Sequence, residues 1–174
     1  ALISSFIVTI PATIIPITIA AFAAYAFAWM KFPGRDWIFI AVVTLMIVPT
    51  QLAFLPILQG FNGIATWMMA LQELLTDCEI TDSCSVPSKS FASLWITHTA
   101  FGQPLAIYLL RNYIVGLPKE LLESARIDGA SHMQIFLKII IPLSVPALAS
   151  FAIFQFLWIW NDLLVALYIG PSNS

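Results

Sequence analysis

Four stretches of this chain carry no charged side chain: residues 1–30, 37–72, 90–110 and 139–161. A helix needs roughly 20 apolar residues to cross the hydrocarbon core of a bilayer, so each stretch can hold one crossing. Only 9% of the 174 residues are charged and 60% are hydrophobic, whereas about a quarter of an ordinary soluble domain is charged. A soluble chain of this length cannot bury four such helices. The solvent that fits is lipid. The expected fold is an all-α integral membrane protein, a polytopic transmembrane helix bundle with spans near Ile3–Trp29, Trp37–Leu58, Phe91–Leu110 and Leu143–Ile169.

Residues 1–30 do not read as a secretory signal, because they lack a basic leader and their apolar run exceeds the roughly 7–15 residues of a signal core. The chain begins without Met and stops in a polar tail, so a piece of a longer subunit is expected. Pro11 and Pro16 lie inside the first span and predict a kink or an unwound turn there. Lys31 to Asp36 reads as a tight turn, and Pro49 and Pro56 fall near the far end of the second span.

Six of the seven basic residues sort onto one side. Lys31 and Arg35 lie in the first loop, and Arg111, Lys119, Arg126 and Lys138 in the third. Two crossings separate those loops, so they share a face, which the positive-inside rule assigns to the cytoplasm. Residues 31–36 and 111–142 are therefore expected inside, and the acidic segment 59–90 outside. That outer segment holds Cys78 and Cys84, which an oxidising compartment would allow to bond and a reducing one would leave as free thiols. Asn62-Gly63 reads as a turn and Thr66–Leu75 as a short surface helix.

The inner loop, 113–142, is the informative part. Gly116-Leu117-Pro118-Lys119 marks a helix stop and a new start. Lys119–Ile127 continues as helix, and Asp128-Gly129 ends it at a residue able to take the left-handed conformation. Ser131 and Gln134 have the spacing of a capping box. Met133, Phe136, Leu137, Ile140 and Ile141 then recur as one apolar face, and Pro142 and Pro146 are expected to turn the chain back into the membrane. Two short helices joined by a glycine corner suit mechanical coupling to a soluble partner.

Glu123-Ser124-Ala125, three residues to Gly129, nine to Ile139, and Ile141-Pro142 resemble the EAA loop of binding-protein-dependent ABC importer permeases. Ser124 stands where that pattern has Ala, and Ile141 where it has Leu. Glu123–Ala130, Phe136–Ile139 and Ile153–Asp162 are similar to the carbohydrate, maltose-type branch, and Leu105–Asn112 with Asn161–Leu167 look most like permeases for α-glucosides or glucosylglycerol. The resemblance implies a subunit of six spans, four of them in this piece. It also implies a second permease subunit, cytoplasmic ATPase subunits that bind ATP and Mg, an external solute-binding protein, and no cofactor on this chain. By the same resemblance Glu123, Ser124, Ala125, Asp128, Gly129, Ala130, Ile139 and Pro142 belong to the ATPase-coupling element. The local alternative for Glu123 is a pair with Lys119 or Arg126 on its own helix.

Solute contacts are sought among the polar and aromatic residues of the spans: Gln103, Gln155, Trp158, Trp160, Asn161 and Asp162. Asp162 and the two indoles also fit an interfacial belt, while Gln103, Gln155, Asn112 and His98 also fit packing between helices. An ion-coupled secondary transporter using Asp162 stays open on the residues alone. The chain has no G-x-x-x-x-G-K-[ST] loop and no constellation that reads as catalytic or metal-binding. A net charge of −2 argues against nucleic-acid binding.

Overall fold

The computed structural model describes residues 2–48, 52, 56–57, 59–60, 62–63, 91–162 and 165. Among these residues there are helices and no strand. Helix α1 is Leu2–Trp29, α2 is Arg35–Thr44, α3 is Phe91–Val115, α4 is Lys119–Ile127 and α5 is His132–Trp160. By length and composition α1 and α5 can each cross a membrane. The 25 residues of α3, at about 1.5 Å each, reach a similar length.

Helices α1 and α3 run in the same direction and α5 runs against them. Phe6 meets Trp160 at one end, with ring centroids 5.1 Å apart, and Tyr25 meets His132 at the other. This places the Lys31–Asp36 turn and the 116–131 loop at the same end of the bundle. Small residues line the contact: Ala12, Ala20, Ala24 and Ala106 are fully buried, and they let helix backbones approach closely. Larger side chains fill the half nearer the 116–131 loop, with Leu110, Ile114, Ile135, Phe136 and Phe151 in one core. Ile3, Ile14, Ile153, Phe154 and Leu157 point outward, as befits a bundle whose surroundings are apolar.

The prolines of the first span do not unwind it. Helix α1 is helical throughout, with Pro11 and Pro16 inside it and no unwound turn. Pro11 has no N–H for the carbonyl of Ile7, and the indole N–H of Trp95 on α3 donates to that oxygen at 3.0 Å. Beside Pro16, the Gln103 amide, in the orientation its partners require, donates to Pro16 O and accepts from Ala20 N–H, both at 3.3 Å. The third helix thus caps the carbonyl that Pro11 strands and bonds the backbone beside Pro16. Trp95→Phe keeps an aromatic ring, though a smaller one, and removes the donor. It should lower stability by about 1–3 kcal/mol, the cost of an orphaned carbonyl, seen as an earlier thermal transition of the solubilised protein.

The span expected over Trp37–Leu58 does not begin as one unbroken helix. After Thr44 comes a single 3-10 turn, Leu45–Ile47, and Val48 is then extended at φ −70°, ψ 118°. Val48 precedes Pro49, whose ring excludes the helical region for its neighbour. Asn62 and Gly63 are helical, not the turn expected. Cys78, Cys84 and the Thr66–Leu75 helix lie outside the described residues.

Pro142 and Pro146 likewise fail to turn the chain. His132 to Trp160 is one helix of 29 residues, so the second short helix of the loop and the last span are a single rod. A π turn at Phe136–Ile140, in which Ile141 N–H bonds Phe136 O, precedes Pro142. That widening makes room where the proline ring would otherwise press on the carbonyl of Lys138. The extra residue also shifts the register: Ile135, Phe136 and Ile140 are buried, while Met133 and Leu137 of the expected apolar face are exposed. Helix α5 ends at Trp160 with Asn161 as its cap, short of the expected Ile169.

Candidate coupling site

The short helix α4 has two faces of opposite character. Leu122 is buried, and Ala125 packs on the same core as Tyr25, Ile114 and Phe136. Glu123 and Ser124 face outward, as does Ile127, which is 86% exposed. Glu120 sits in the first turn and Arg126 in the last, each favourable to the helix dipole. Among the described residues the only ion pair is Arg35–Asp36. Glu123 therefore makes neither of the local pairs considered for it, and its carboxylate is available to a partner.

The corner after α4 is fixed by backbone bonds. Gly129 takes φ +79°. Ala130 N–H bonds Ala125 O and Gly129 N–H bonds Arg126 O, both at 3.0 Å, which is the pair of bonds of a Schellman motif. Ser131 then opens α5 with a complete capping box: its N–H donates to Gln134 Oε1 at 2.8 Å, and its Oγ accepts from Gln134 N–H at 3.3 Å. Ala130 packs against the core beside Ala125. Asp128, Gly129 and Ala130 border a shallow cavity of about 310 Å³ with Gln134, Lys138 and Ile139. Pro142 lies farther along α5 on its exposed side. The motif thus places Ala125 and Ala130 against the bundle, Glu123, Ser124 and Asp128 outside, and Gly129 at the bend.

The residues sought for solute do not converge. Gln155 is fully buried against Gly102, and neither of its amide atoms has a hydrogen-bond partner. Gln103 is engaged with α1 as described. Trp158 borders an apolar cavity of about 360 Å³ with Met46, Phe101 and Pro104. Trp160 packs between Phe6 and Phe156. Asn161 Nδ2 donates to Leu157 O at 2.7 Å, and Asp162 Oδ1 accepts from Val165 N–H at 3.1 Å, so both are tied to backbone at the helix end.

Sequence reasoning missed three contributors: Trp95, Gly102, and the hydrogen bond at 3.0 Å between Tyr25 OH and His132 Nδ1. Each depends on which helix faces which, and no spacing along one chain segment encodes that.

Comparison with known proteins agrees with this architecture. The family model for the "Binding-protein-dependent transport system inner membrane component" matches residues 16–173. The chain is 54% identical to the alpha-glucoside transport system permease protein AglG of Rhizobium meliloti (strain 1021), over 98% of this chain and 41% of AglG. It is 52% identical to the osmoprotective compounds uptake permease protein GgtD of Synechocystis sp., over 99% of this chain and 51% of GgtD. It is 30% identical to the trehalose transport system permease protein SugB of Mycobacterium tuberculosis, over 100% of this chain and 56% of SugB. The chain spans about half the length of these relatives. With the glycine corner, the exposed α4 face and a match over most of its length, the chain belongs to the family of binding-protein-dependent transport system inner membrane components.

Proposed function

We propose that this chain is the membrane-embedded core of an ABC importer permease subunit that moves a sugar or small glycoside across the inner membrane. The observation that carries the reading is mechanical. An outward face bearing Glu123 and Ile127 joins, through a corner fixed by backbone bonds, a 29-residue helix long and apolar enough to cross a membrane. A partner that grips α4 and moves it would displace the inner end of α5. That partner is a cytoplasmic ATPase subunit, which binds the ATP and Mg; this chain supplies no catalytic group. A second permease subunit completes the pathway and an external binding protein delivers the solute. The 31–36 turn and the 111–142 loop face the cytoplasm, and 59–90 faces outward. The names of AglG and SugB favour α-glucosides among possible solutes.

The test is uptake by proteoliposomes holding the full-length subunit in its complex, with the binding protein outside and ATP inside. Trehalose, sucrose, maltose and glucosylglycerol are offered in turn. Accumulation of one of them that requires both ATP and the binding protein is the expected result. Uptake of amino acids alone would overturn the carbohydrate assignment, and uptake driven by an ion gradient without ATP would overturn the importer.

A further inference from the structure

We infer that Tyr25 and His132 are positioning residues through which the cytoplasmic loop moves α1 together with α5. The inference rests on the coupling role proposed above. Three contacts clamp the inner end of α1 onto the first turns of α5. Tyr25 OH hydrogen-bonds to His132 Nδ1 at 3.0 Å. The Tyr25 ring lies 5.4 Å from that of Phe136, and Phe22 stacks on Phe136 at 4.5 Å. His132 is the first helical residue after the Gly129 corner and its capping serine, so it moves with whatever moves the corner. Phe136 opens the π turn, where the helix is least regular and bends most readily.

The hydrogen bond joins residues 107 apart in sequence, and Tyr25 shares its core with Leu122 and Ala125 of α4. A displacement of α4 therefore has two routes into the membrane. One is covalent, through Gly129 into α5. The other crosses from His132 to Tyr25 and enters α1, which is itself pinned to α3 by Trp95 and Gln103. With the second route cut, the motor would turn α5 while α1 and α3 lag. ATP would then be spent with little solute moved.

The complete importer is assayed for both ATP hydrolysed and solute moved. Tyr25→Phe keeps the ring contacts and removes the hydroxyl; His132→Phe removes the ring nitrogen; His132→Asn keeps a hydrogen-bonding atom near the position of Nδ1. In Tyr25→Phe and His132→Phe, ATP hydrolysis should stay within about twofold of native while solute moved per ATP falls about fivefold, the scale of one hydrogen bond. His132→Asn should recover most of the loss, and the double variant Tyr25→Phe/His132→Phe should be no worse than either single one. Native stoichiometry in Tyr25→Phe, or a double variant whose loss is the product of the two, would overturn the inference. Hydrogen exchange on the native complex gives a reading free of variants. Residues 20–29 and 132–140 should change protection together between nucleotide-free and ATP-trapped states, and a change confined to 132–140 overturns the clamp. Failure of the underlying importer reading looks different: the native complex itself would show no ATP-driven uptake.

Discussion

Gly129→Val is expected to abolish coupled transport while leaving the subunit in the membrane and its spans folded. The expectation follows from backbone conformation alone. A Cβ added at Gly129 would meet no atom within 4 Å, yet the residue sits at φ +79°. A side chain in that region costs about 1–2 kcal/mol, and a β-branched one is disfavoured further. The strain falls on the turn that carries the bonds Ala130 N–H to Ala125 O and Gly129 N–H to Arg126 O, so α4 would lose its fixed angle to α5. A graded series separates this from steric damage. Gly129→Asn, which tolerates the left-handed region, should transport nearly as well as native. Gly129→Ala should populate the native corner about 5–30-fold less, as 1–2 kcal/mol implies, and Gly129→Val less again. ATP-dependent uptake measures the outcome, with co-purification of the ATPase as control. Equal uptake by all three variants would show that the corner's angle is not used.

That corner was legible in the sequence, and it is instructive why other features were not. A Schellman turn is local: Asp128-Gly129 and the Ser131/Gln134 pair fall within seven residues, and short-range chemistry decides the backbone. The membrane environment was legible for a different reason, since an absence of charge over 20 or more residues is a property of composition. The prolines show where such reading ends. Pro11 reads as a break because its missing N–H strands a carbonyl, but whether the helix breaks depends on Trp95, 88 residues from the carbonyl it serves. Pro142 reads as a turn because its ring collides with the preceding helix, but the π turn before it absorbs the collision. Pro49 was noted only as lying near the far end of the second span, whereas the rule that the preceding residue leaves the helical region puts extended backbone at Val48, where it is found. The polar residues Gln103 and Gln155 were chosen by chemistry and depth. Depth along one helix does not say which face turns toward another, and that face decides whether an amide bonds a neighbouring backbone, as Gln103 does, or lies against a glycine, as Gln155 does.

The contact between Gly102 and Gln155 yields the other large effect. A Cβ at Gly102 would stand 2.6 Å from Gln155 Nε2 and 3.0 Å from its Cδ and Oε1. Amide ends usually move aside at little cost, but Gln155 is fully buried, so its amide must find new room in the contact between α3 and α5. Gly102→Ala should therefore destabilise by about 1–3 kcal/mol, the range for an overfilled core, and Gly102→Leu by more. The thermal midpoint should fall by about 2–4 °C for each kcal/mol in a protein of this size. Gln155→Ala alone should cost little, because it opens a gap but also removes an amide that has no hydrogen-bond partner, itself a burden of about 1–3 kcal/mol. Combining Gly102→Ala with Gln155→Ala should restore the midpoint, a non-additivity typical of residues in contact. Midpoints that simply add would mean that the helices part freely at this point. Uptake divides the two roles left for Gln155. If the amide only fills the space above Gly102, Gln155→Ala transports normally; if it meets the solute during turnover, the same variant is stable and does not transport. An amide with no partner at rest is free to make a contact in motion, and this pair of measurements decides whether it makes one.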